Sequence, residues 1–157
     1  MKLIDLREEP EHIDQLAEWH HKEWAYLHPD GSLAKRKEEM RGYLSEELVP
    51  STYIAKENNE LLGSAAILRS DMDSHPEYTP WLASVYVAQK FRCRGIGSKL
   101  VKHVMQQASE AGISELFLFT PSEENFYENI GWQTLARETY QGSLVTIMSI
   151  KLSHIKG

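Results

Sequence analysis

The chain has 157 residues, 41% hydrophobic and 25% charged, with a formal net charge of −6. That length suits one domain, 1–157, with one core, and no apolar run approaches the roughly 20 residues that span a bilayer. The acidic balance argues against nucleic acid as main partner, the polar start MKLIDLREEP is no secretory signal, and the lone Cys93 leaves no intrachain disulfide, so the cytoplasm is the expected compartment.

Lys2 to Leu6 is short and partly alternating and reads as a first strand. Pro10 to Leu27 reads as a helix, with Ile13, Leu16, Ala17, Trp24 and Leu27 close to one stripe. His28-Pro29-Asp30-Gly31 is a turn. Ser32 to Leu48 is predicted as a second helix, capped by Ser32, faced by Leu33, Met40, Tyr43, Leu44 and Leu48, and stopped by Pro50. Thr52 to Lys56 and Leu61 to Leu68 pair as a hairpin through Glu57-Asn58-Asn59-Glu60. Asp71 to Pro80 is a polar loop, and Trp81 to Ala88 alternates as a strand. Gly95 to Ala111 is an amphipathic helix that Gly112 terminates. Ser114 to Thr120 is a buried strand, Ser122 to Asn129 a short helix, and two last strands, Trp132 to Tyr140 and Ser143 to Lys151, join around Gln141-Gly142. Such an order predicts a mixed sheet with helices on its faces. The unit from Trp81 to Thr120 is β-α-β, so its two strands should be parallel.

Charge is unevenly placed. Lys90, Arg92, Arg94, Lys99 and Lys102 lie close together, and no Asp or Glu occurs from Tyr78 to Ser109. The rest of the chain then holds 12 basic and 23 acidic residues. A compact positive site in an acidic protein suits a small polyanion.

That site is VYVAQKFRCRGIGSKL, Val85 to Leu100: a strand, a basic loop, two glycines and a helix. A helix's first turn presents unpaired N–H groups and partial positive charge, and Gly95 and Gly97 give a phosphate room to approach them. GIGSKL lacks the third glycine of a dinucleotide fingerprint and the spacing of a P-loop. From these residues alone, a glycine-eased helix start with solvated arginines stays open beside the phosphate site.

Arg92-Cys93-Arg94-Gly95-Ile96-Gly97 resembles the Arg/Gln-x-x-Gly-x-Gly/Ala signature of the GCN5-related N-acetyltransferases (GNAT), and it lies between a Val-x-Val strand and a long helix, as that signature does. Phe126-Tyr127-Glu128-Asn129-Ile130-Gly131-Trp132 is similar to the family's Phe-Tyr-x-x-x-Gly-Phe element. The likeness is strong from Trp81 to Trp132 and topological elsewhere. It implies the GNAT acyl-CoA N-acyltransferase fold, of the α+β class, with a mostly antiparallel sheet of about seven strands and about four helices. It implies acetyl-CoA as co-substrate. Amides of Arg92, Cys93, Arg94, Gly95, Ile96, Gly97 and Ser98 would hold the pyrophosphate, and Val85, Tyr86 and Val87 the pantetheine arm. Cys93 stands where many relatives have glycine.

For the chemistry, the resemblance implies Tyr127 as the acid that protonates the departing thiolate; alternatively, Phe126-Tyr127 only packs a short helix. A backbone N–H near Val85 would stabilise the oxyanion. The base is open, because WLASVYV carries no acid where many relatives place a glutamate. Ser84 could pass a proton through water, and Asp71, Asp73, His75, Glu77 and Glu124 are alternatives. Thr120 ends its strand where many relatives have an asparagine that contacts the pantetheine, so the resemblance implies that its hydroxyl does part of that work or only caps the turn before Pro121, and Asn125 could substitute. No metal is expected: no carboxylate or cysteine completes a ligand set around His20, His21 and His28. The expected activity is acetyl transfer to a primary amine, small or on a peptide, in a pocket shaped by the 71–80 loop and the first two helices. The acidic remainder favours a cationic acceptor. A non-catalytic acyl-CoA sensor and a general nucleotide-phosphate binder are the competing readings. The oligomeric state is open, a homodimer included.

Overall fold

The computed structural model describes residues 1–152. In chain order the elements are β1 (Lys2–Asp5), α1 (Ile13–Trp24), α2 (Leu33–Gly42), β2 (Ser51–Glu57), β3 (Glu60–Leu68), β4 (Trp81–Val87), α3 (Ile96–Glu110), β5 (Glu115–Thr120), α4 (Glu124–Glu128), β6 (Gln133–Tyr140) and β7 (Ser143–Lys151). One sheet carries all seven strands, ordered β1-β2-β3-β4-β5-β7-β6. Every neighbouring pair is antiparallel except β4 and β5, which are parallel as the β-α-β pattern requires. No helix among the described residues is long and apolar enough to cross a membrane.

Alternation along β2 shows why both faces of the sheet are covered. Tyr53 and Ala55 enter one core beneath α3, while Ile54 enters another against Leu6, Ile13, Leu16, Ala17 and Met40. The α3 helix buries Ile96, Leu100, Val101, Val104, Met105 and Ala108, a helical stripe whose aliphatic members are each worth about 1.5–3 kcal/mol. It stops where Gly112 takes a φ of 85°, with the Gly112 N–H donating to Ser109 O and that of Ile113 to Ala108 O. Both hairpin turns also follow from their residues. Asn58 and Asn59 have φ of 52° and 66°, and Gln141 and Gly142 have 49° and 81°, the left-handed pairs that close two-residue hairpins.

Two helices are shorter than their patterns suggest. The stretch from Pro10 to Leu27 holds helix α1 only over Ile13–Trp24, flanked by 3₁₀ turns at Pro10–His12 and Ala25–Leu27. The second helix ends at Gly42 and does not reach Leu48. Ser32 does cap it, accepting the Lys35 N–H at 3.1 Å. Beyond Gly42 a tertiary clamp takes over. The Arg7 guanidinium donates to the carbonyls of Ser45, Glu47 and Pro50 and to Ser51 Oγ, so those oxygens need no helical partner.

Two irregularities in β4 position the site. First, β4 and β5 register only at Trp81 and Phe117, so β4 continues to Val87 without a strand beside it on that edge. Second, Ser64 pairs with Tyr86 but Ala66 pairs with Ala83, so Ser84 and Val85 lie opposite the single residue Ala65. This bulge puts Ser84 at φ 53°, a left-handed conformation costing roughly 1–2 kcal/mol.

Candidate active site

A groove of about 570 Å³ opens where β4 parts from β5. Val85, Tyr86 and Val87 line one wall; Arg92, Cys93, Gly95, Ile96, Gly97 and Ser98 line its end; Thr120, Phe126 and Tyr127 complete it. The glycines act differently. Gly95 is the N-cap of α3 at φ 78°, and no side chain caps the helix, so its first-turn N–H groups stay unclaimed. A Cβ on Gly97 would lie 3.6 Å from both Phe126 Cζ and Val87 Cγ2, within groove space that the glycine leaves open. Cys93 is exposed at φ 66°, which explains why glycine suits that position. Arg92 is pinned by its Nε donating to Val87 O at 2.8 Å, with its guanidinium 5.4 Å from the Tyr86 ring centroid. Arg94 lies over the Phe91 ring, outside the groove lining.

Tyr127 is buried on α4 at the groove wall, its ring edge-on to Phe126 and Trp132. Burial, and then the Glu123 charge, push its phenol well above the usual tyrosine value, so it stays protonated at neutral pH. Thr120 lines the groove, and its Oγ1 accepts the Glu123 N–H at 3.0 Å, which caps the turn at Pro121. Asn125 is exposed on the same short helix, outside the lining, because Phe126 and Tyr127 take the inward positions.

A second cavity, about 440 Å³, lies between α1, α2, the loop after β3 and the β6–β7 turn. Asp30, Glu39, Asp71 and Asp73 line it against Lys35 and Arg36. Trp24, Leu27, His28, Asp71 and Ser84 line both cavities, so the two meet at the β4 bulge. The bulge is held by a network from two helices. Arg36 Nη2 donates to His20 Nδ1 at 2.8 Å and to Ser84 Oγ at 3.0 Å. A guanidinium only donates, so His20 carries its proton on Nε2 and gives it to Ser64 Oγ at 2.8 Å. Ser64 in turn donates to the Ser84 carbonyl at 2.9 Å. Burial, then the Arg36 charge, holds the His20 imidazole well below its usual pKa, keeping it neutral.

Other candidates fall elsewhere. His75 bonds to Glu138 at 2.7 Å and Glu77 at 3.3 Å, tying the 71–80 loop to β6; these residues and Glu124 do not line either cavity. Trp81 is fully buried in the core, bonded through its indole N–H to Tyr78 O. Tyr26 lines the first groove. Among the described residues, Glu9, Glu11 and His12 bring ligand atoms within 4.8 Å, but Glu9 already pairs with Lys56 at 2.5 Å. Sequence reasoning missed Arg36 and His20. His20 carried a signal, a histidine on the apolar stripe of Ile13, Leu16 and Ala17; Arg36 carried none.

The splayed β4–β5 pair and the uncapped glycine start of α3 are the features that the resemblance to the N-acetyltransferases implies. The family model described as Acetyltransferase (GNAT) family matches residues 13–132. The chain belongs to that family, and acetyl transfer is its class of chemistry. A search of curated proteins found no significant match. Among solved structures, an aminoglycoside 6'-N-acetyltransferase complexed with coenzyme A aligns at TM-score 0.74 and 17% identity, covering 100% of both chains. An aminoglycoside 6'-acetyltransferase type Ii aligns at 0.75 and 20%, covering 99% of this chain and 100% of the other. The structure of yncA from Salmonella typhimurium with its cofactor acetyl-CoA aligns at 0.73 and 16%, covering 100% and 96%. At such identities the likeness establishes the shared fold.

Proposed function

We propose that the protein transfers the acetyl group of acetyl-CoA to a primary amine, by direct attack while both substrates are bound. The observation that carries this is the meeting of two cavities of different character at the β4 bulge. The groove suits the pantetheine and diphosphate: its unpaired strand edge can hydrogen-bond the arm, and the α3 amides can hold the phosphates. Four carboxylates against two fixed cations in the other cavity favour an acceptor carrying positive charge. The aminoglycoside acetyltransferases among the structural neighbours support a small-molecule amine.

The residues then divide the work. The bulge holds the Val85 backbone beside the thioester, where a preorganised N–H stabilises the developing oxyanion. Ser84 stands between the two substrates, its Oγ fixed by Arg36. Tyr127 supplies the proton that the sulfur needs on leaving. A protonated phenol set in the groove favours catalysis over acyl-CoA sensing. The test is release of free thiol from acetyl-CoA with an aminoglycoside, spermidine or a lysine-containing peptide, each product weighed by mass spectrometry. Amine-dependent release with gain of one acetyl group is expected. Binding of acetyl-CoA with no release above that in water would favour a sensor.

A further inference from the structure

We infer that Asp71 is the general base, taking a proton from the acceptor's ammonium group at the junction of the two cavities. The inference rests on the acetyl-transfer reading and names a residue for the step that β4, lacking an acid, leaves open.

A base must stand where the amine meets the thioester, and five residues line both cavities there. Trp24 and Leu27 have no basic atom. Ser84 Oγ accepts a hydrogen bond from a permanently charged guanidinium, which makes it a poor proton acceptor. The network behind it offers no sink either. His20 Nδ1 is occupied by Arg36, its Nε2–H points at Ser64, and Ser64 donates to the Ser84 carbonyl. His28 can accept a proton, but burial and then Arg36 hold its imidazole below the usual value, which makes it a weaker base, and as a neutral ring it does not hold an incoming ammonium as a carboxylate does. Among the described residues, Asp71 is the one carboxylate common to both cavities.

Its surroundings suit the task. Arg36, Glu39 and Tyr43 reach it electrostatically from the α2 side, Tyr140 from the end of β6, while Asp73 and His28 share the cavity wall. Burial raises the carboxyl most, Arg36 opposes it and Glu39 adds to it, leaving its pKa at about 6. Asp71 is thus ionised at pH 7, yet more basic than an exposed carboxylate.

The step balances as follows. The ammonium gives one proton to the Asp71 carboxylate, and the freed nitrogen pair forms the C–N bond while the carbonyl π pair moves to oxygen. That pair re-forms C=O as the C–S bond breaks, and the sulfur takes the phenolic proton of Tyr127. The second nitrogen proton restores the phenol through water, and Asp71 releases its proton to solvent.

The experiment measures kcat/KM from pH 5 to 9 for wild type, Asp71→Asn and Asp71→Glu, with the best acceptor of the amine panel, and acetyl-CoA affinity for each. Wild type should rise to a level region above about pH 6, the ionisation of Asp71. Asp71→Asn should lose roughly 100-fold or more at pH 7, keep its acetyl-CoA affinity, and recover tenfold per pH unit towards the acceptor's own pKa; Asp71→Glu should retain part of the rate. Equal rate and profile in Asp71→Asn would overturn the assignment, as would His28→Gln producing the loss in its place. Should Asp71→Asn fail to fold, the wild-type profile decides, and a climb of tenfold per unit through neutrality with no level region overturns it. Wild type that binds acetyl-CoA but acetylates no amine removes the acetyl-transfer reading, and the base with it; turnover that ignores Asp71 removes only the base.

Discussion

Tyr127→Phe should lower kcat by roughly 100-fold and leave acetyl-CoA affinity nearly unchanged. The ring supplies the groove wall and packs edge-on against Phe126 and Trp132, and phenylalanine keeps that shape. Only the hydroxyl is lost. Because burial and Glu123 hold the phenol above its ordinary pKa, it is protonated throughout the neutral range and ready to donate. A thiolate, whose conjugate thiol has a pKa near 8.5, gains from that proton only as the C–S bond breaks. The deficit should therefore fall on kcat and not on ground-state binding. Steady-state kinetics with a calorimetric titration of acetyl-CoA separate the two. An unchanged kcat would leave Tyr127 as packing alone.

Gly63→Ala should cost roughly 2–4 kcal/mol of stability and weaken acetyl-CoA binding as well. A Cβ there would lie 2.3 Å from Tyr86 O and 3.2 Å from Val87 Cα, both backbone atoms of β4. Relief requires β4 to move away from β3, and that strand is the groove wall. For a domain of this size each kcal/mol shifts Tm by about 2–4 °C, so thermal melts should fall clearly. Gly97 makes the contrast: its added Cβ would meet only side-chain atoms at ordinary contact distance, so crowding alone should not unfold that variant. An unaltered Tm for Gly63→Ala would show that β3 and β4 can separate at this point without loss.

Local chemistry was readable wherever it decided the structure. Asn58-Asn59 and Gly142 announced tight turns because Asn and Gly tolerate left-handed backbone, and α3 announced itself through its apolar stripe and the two glycines at its ends. The end of α2 was not readable, because the Arg7 clamp on Ser45, Glu47 and Pro50 joins residues about forty positions apart. Part of the groove lining is one contiguous segment, Val85 to Ser98, joined by Phe126 and Tyr127, while the stretch from Glu23 to His28 and Asp71 reach it only through packing. The second cavity is different in kind. Arg36, His20, Ser64, Asp71 and Ser84 come from five separate stretches, and only the packing of α1 and α2 over β3 and β4 brings them to one place. Without that packing, Ser84 was named for its position in β4, while the guanidinium that occupies its oxygen stayed unseen.

Titration of the purified protein with acetyl-CoA in a calorimeter bears most directly on the groove. Saturable one-to-one binding is expected, which neither ATP nor NAD displaces as well as coenzyme A does. No heat of association at millimolar acetyl-CoA, or equal displacement by the nucleotides, would mean that the opening between β4 and β5 does not hold a pantetheine-linked diphosphate.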